Sequence, residues 1–102
     1  SENENSAASR KEQKRKQAEL RQQLVPLRKQ ATQLETQMEK LGTQLQQIET
    51  DLADPSLYDA EMKAKLTALL AEQVQVKKQL EEVEADWLAL QESIEDIMSQ
   101  AE

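Results

Sequence analysis

The chain has 102 residues, 37% apolar but only 2% aromatic, with one Gly, two Pro and neither Phe, His nor Cys, at a net charge of −7. A layered globular core draws on aromatics and turn residues, so this composition suits long helices. Without Cys or His there is no thiol nucleophile, imidazole base or usual zinc ligand set, and carboxylates on a solvated helix lack a pocket to tune them, so no catalytic or metal-binding residue is assigned.

Residues 1–9, "SENENSAAS", are small and polar without periodicity, which predicts a disordered linker. From there the apolar positions Leu20, Leu24, Leu27, Ala31, Leu34, Met38, Leu41, Leu45, Ile48 and Leu52 step alternately by four and three. That is a heptad seam sustained over several repeats, and it predicts a first helix from about 10 to 53. Pro26 falls within it and removes the hydrogen bond to the carbonyl of Gln22, so a kink or a one-turn interruption is expected there. Gly42 flanks the seam, with close helix approach as its expected compensation.

The stretch "LADPSLYDAEM" interrupts the rhythm. An unbroken helix would place Pro55 and Asp59 on the apolar seam, and an interior proline alone costs about 3 kcal/mol. A turn uses the same residues well. Asp54 can cap a helical start with Pro55 at its first position, and Asp59 can cap again before Glu61. The chain is therefore expected to reverse over 54–58, with Leu57 and Tyr58 folding over the last seam layer.

The second helix is expected over about 59–100, on the seam Met62, Leu66, Leu69, Gln73, Val76, Leu80, Val83, Trp87, Leu90, Ile94, Ile97 and Ala101. The fold class is all-α: residues 10–102 form a two-helix antiparallel coiled-coil hairpin with a short helical turn at its tip. Taking Leu52 opposite Met62 as the register, Leu45 meets Leu69, Leu41 meets Gln73 and Leu27 faces Trp87. An isolated domain of this kind, with its seam closed within one molecule, is expected to be a monomer.

Charge is divided along the chain. Residues 10–29 carry Arg10, Lys11, Lys14, Arg15, Lys16, Arg21, Arg28 and Lys29 against Glu12 and Glu19, a net +6, whereas residues 79–102 carry eight acids and no base. Two readings follow. Either the segments pair across the hairpin and fix its register, or the eight bases form a surface for nucleic-acid phosphates, where counterion release would favour binding. With no interleaved aromatics and no base-reading module, such a contact would position a nucleic acid without reading its sequence. Docking on a protein is the remaining alternative. No apolar run reaches the roughly 20 residues of a membrane span, and the N-terminus has no secretory pattern, so no membrane partner is expected.

The run "RKEQKRKQAELRQQLVPLRKQATQLETQMEKLGTQL", the turn "LADPSLYD" and a late Trp in an acidic helix closely resemble the C-terminal domain of bacterial ABC-F ATPases. The likeness is to the YheS branch of that family, with a related tail in the Uup branch, and it covers the chain after residue 9. The resemblance implies a cytoplasmic tail following two ATP-binding cassettes, in a protein that acts on the ribosome during translation. It further implies ribosomal RNA or the protein's own cassettes as partners, and DNA as in Uup-type tails. ATP and Mg would belong to the cassettes. This chain lacks a Gly-rich phosphate loop, since its single Gly42 is followed by Thr43, so this fragment is expected to be no enzyme and to hold no cofactor of its own.

Overall fold

A computed structural model describes the secondary structure of residues 2–101 and the side chains of residues 6–101. The fold is all-α: helix α1 spans Glu2–Leu52, two 3-10 turns follow at Pro55–Tyr58 and Ala60–Met62, and helix α2 spans Lys63–Ala101. The chain divides into two compact units, one of Gln33–Trp87 and one joining the residues up to Thr32 with those from Leu88. Each contains an antiparallel pair of helical segments.

The turn sits in the first of these units and its chemistry follows from the residues. Asp54, in extended conformation, accepts the Ser56 N–H on its side chain, and Pro55 fills the first helical position, where no N–H is needed. Leu57 is buried and joins Ile48, Leu69 and Val76 in a core against which Leu41, Leu45, Leu52, Met62 and Leu66 pack. Tyr58 does not share that role: it is 60% exposed, and its hydroxyl donates to the Leu52 carbonyl at the end of α1. Asp59 caps the second 3-10 turn through its backbone alone, without the side-chain bond expected of it. That second turn delays α2 to Lys63, four residues later than the sequence suggests.

The lengthened turn changes the register within this unit. Trp87 Nε1 donates to Glu35 Oε1 at 3.3 Å, where the simplest register set Trp87 against Leu27. Leu41, set against Gln73 by the simplest register, shares a groove with Gln37, Lys40, Gln44, Gln79, Glu82 and Val83. The helices are slid by about one heptad, which leaves every seam residue on the seam. Gln44 Nε2 donates to Glu72 Oε1 at 3.1 Å across the same flank. Gly42 has open space where a Cβ would stand, so close helix approach is not its reason.

In the other unit Leu24, Ala31 and Ile94 are buried, and Leu20, Leu27, Leu90 and Ile97 are half-buried. Leu20 lies with Gln13, Lys16, Gln17 and Ala101 around one shallow groove at the end of α2. Two expectations are corrected here. The one-turn interruption allowed for at Pro26 does not occur: α1 runs through it, with Pro26 and Gln22 exposed and Leu24 and Ala31 buried. And α1 opens at Glu2, not at Arg10, so residues 2–9 are helical where a linker was expected. Extending an existing helix through Ala7 and Ala8 needs no new nucleus. Ser1, also assigned to the linker, lies outside the described residues.

Candidate nucleic-acid interface

All eight bases of the predicted surface lie on α1, and all are exposed. They fall in the unit formed by the residues up to Thr32 and from Leu88. Their positions are a matter of helical phase. The seam residues Leu20, Leu24 and Leu27 turn inward, and a base one residue beyond a seam position, as Arg21 follows Leu20 and Arg28 follows Leu27, stands on the flank of the helix pair. Arg10, Lys11 and Lys14 surround a shallow depression with Ala7.

The ion pairs bear on the first reading of the charge division, that the two segments pair across the hairpin. Among the described residues the ion pairs of this unit are Arg15 with Glu12 and Arg15 with Glu19, both along α1 itself. Arg15 Nε donates to Glu12 Oε2 at 3.0 Å, Nη2 donates to the other Glu12 oxygen, and Nη1 donates to Glu19 Oε1 at 2.5 Å. The hydrogen bond from Arg15 holds the Glu12 carboxyl below the usual carboxylate range, and Glu12 in turn raises Arg15. Glu92, Glu95 and Asp96 of α2 form no ion pair with any base of α1 among the described residues. Among the described residues, therefore, no cross-helix ion pair neutralises the basic segment.

What Arg28 meets on α2 is instead apolar: its Nη2 lies 3.8 Å from Met98 Sδ. The sequence reading missed this neighbour, although a signal was present. Met98 follows the seam residue Ile97 as Arg28 follows Leu27, and in an antiparallel pair those two positions share a flank. Val25, 65% exposed, and Leu88, 56% exposed, are the other large apolar side chains open to solvent in this unit, with Met98 at 44%.

The chain's one glycine lies inside α1, and among the described residues no group of three or more acids could hold a metal ion. Nor is any helix among them long and apolar enough to cross a membrane.

Comparison with known proteins places these features in context. The family model described as the ABC transporter C-terminal domain matches residues 7–92. The "Probable ATP-binding protein YheS" of Haemophilus influenzae is 66% identical over 96 residues, covering 94% of this chain and 15% of that protein. Proteins of the same name from Escherichia coli strains K12 and O6:H1 are each 57% identical over 97 residues, covering 95% of this chain and 15% of their own length. The chain thus spans about 15% of the length of these relatives. No solved structure matches it.

Proposed function

The chain belongs to the ABC transporter C-terminal domain family, and from that membership we propose that it is an accessory tail through which an ATP-hydrolysing protein touches ribosomal RNA or another nucleic acid. The contact is made by Arg10, Lys11, Lys14, Arg15, Lys16, Arg21, Arg28 and Lys29 on α1. Hydrolysis belongs to cassettes outside this chain, which bind ATP with Mg, in a cytoplasmic protein that works on the ribosome. The relatives' name, probable ATP-binding protein, supports the first part of this reading.

One observation carries the second part: the basic segment is exposed, and the ion pairs it makes among the described residues are to acids of its own helix. Mobile counterions then balance most of that charge, and their release drives association with a phosphate backbone. Binding to structured RNA and to duplex DNA, followed across salt concentrations, tests it. A steep inverse dependence on salt is expected; a flat one rejects the reading.

A second reading, docking on the protein's own cassettes or on a ribosomal protein, draws on a separate feature. Leu70 and Val74, one turn apart on α2, are both exposed. Crosslinking in the intact protein separates the two, since contacts confined to polypeptide favour docking.

A further inference from the structure

We propose that the nucleic acid lies along one line of α1, formed by Lys14, Arg21 and Arg28, and that Arg15, Lys16 and Lys29 stand off it. The proposal rests on the nucleic-acid reading above and names the face that reading uses. Three residues at seven-residue spacing stay on one face of a helix, drifting by only about 20° per step, with about 10.5 Å of rise between them. Lys14, Arg21 and Arg28 therefore make a straight ladder on the flank of the helix pair, exposed throughout. Arg10 and Lys11 continue it around the depression they share with Lys14.

Several features of the unit single out this face. Arg15 is engaged at all three of its nitrogens by Glu12 and Glu19, so releasing it to a phosphate means breaking bonds already made. Lys29 and Lys16 turn away from the ladder, by about 100° from Arg28 and about 200° from Lys14. Most informative is the side chain that α2 sets beside Arg28, which is Met98 and not an acid. Among the described residues the acids of α2 in this unit, Glu92, Glu95 and Asp96, make no ion pair with the ladder, which leaves its charge for an outside partner. Val25 lies between Arg21 and Arg28 on the same face, where an apolar side chain can rest on the sugars between phosphates.

Two triple variants of equal charge test this. One carries Lys14→Gln, Arg21→Gln and Arg28→Gln, the other Arg15→Gln, Lys16→Gln and Lys29→Gln; glutamine is a good helix former, and circular dichroism checks that helicity is kept. Binding of the 102-residue chain to a short RNA duplex, and to a DNA duplex of the same length, is followed against salt. The ladder variant is expected to lose about three units of the log–log salt slope and to bind more than about tenfold more weakly, and the other to lose less than about one unit. Equal losses, or a greater loss from the second variant, overturn the ladder while leaving nucleic-acid binding intact. An absence of salt-dependent binding by the unaltered chain overturns both. Should the ladder variant unfold, Met98→Glu sets an acid beside Arg28 without touching α1: weaker binding is expected, and unchanged binding counts against the ladder.

Discussion

The hydroxyl of Tyr58 donates a 2.7 Å hydrogen bond to the carbonyl of Leu52, tying the turn to the last residue of α1. The final carbonyls of a helix have no partner within it, so this exposed aromatic at the tip serves as a helix-end cap. Its neighbour Leu57, 3% exposed, fills the core below. Urea unfolding should separate the roles: Leu57→Ala is expected to destabilise by about 2–5 kcal/mol through the cavity it leaves, and Tyr58→Phe by about 1 kcal/mol. A larger loss from Tyr58→Phe than from Leu57→Ala would contradict this division.

Gly42 lies within α1 with ordinary backbone angles and nothing within 4 Å of a built Cβ. Alanine there removes unfolded-state freedom and meets no neighbour, so Gly42→Ala should raise stability by up to about 1 kcal/mol. A lower unfolding midpoint would show that the glycine has a packing role.

Acid should loosen the turn. The Ser56 N–H and hydroxyl donate to Asp54 at 3.0 and 2.9 Å, and these bonds, the backbone one first, hold the carboxyl below the usual carboxylate range. A folded value below the unfolded one of about 3.9 means that the stabilisation is complete above about pH 4 and is lost as pH falls through the folded value. Urea midpoints measured from neutral to acid pH should fall across that window, and Asp54→Asn, which accepts the same bonds without titrating, should flatten the fall. An unaltered slope in that variant would remove Asp54 as the cause.

The seam is closed within one molecule, so sedimentation equilibrium should return the monomer mass at every concentration. A mass that rises with concentration toward a dimer would mean that the apolar ridges pair between chains.

Much of this was legible in the primary structure. Every heptad position from Leu20 to Ile97 is buried or half-buried, and only Ala101 is exposed. A period of alternating fours and threes leaves little freedom about which face turns inward. The reversal was legible too, because Asp54 and Pro55 suit a helical start and fit no helix interior. The register was not: sliding one helix by a heptad keeps each seam residue on the seam, so periodicity alone cannot place Trp87 beside Glu35. That position depends on how many residues the turn consumes, and Asp59 takes a second 3-10 turn without a side-chain bond to announce it. Of the candidate interface, the basic composition was evident, but not its state. Which cations are engaged depends on Glu12 and Glu19 being three and four residues from Arg15 on one helix, and on Met98 being the α2 side chain beside Arg28.

The claim that α1 carries the contact face is tested most directly by nuclear magnetic resonance of the isotope-labelled chain as a short RNA duplex is added. Shift changes concentrated on residues 10–29, with the turn at 54–62 unaffected, are the result this account requires. Changes centred on the turn or on Leu70 and Val74, or none at all, would contradict it.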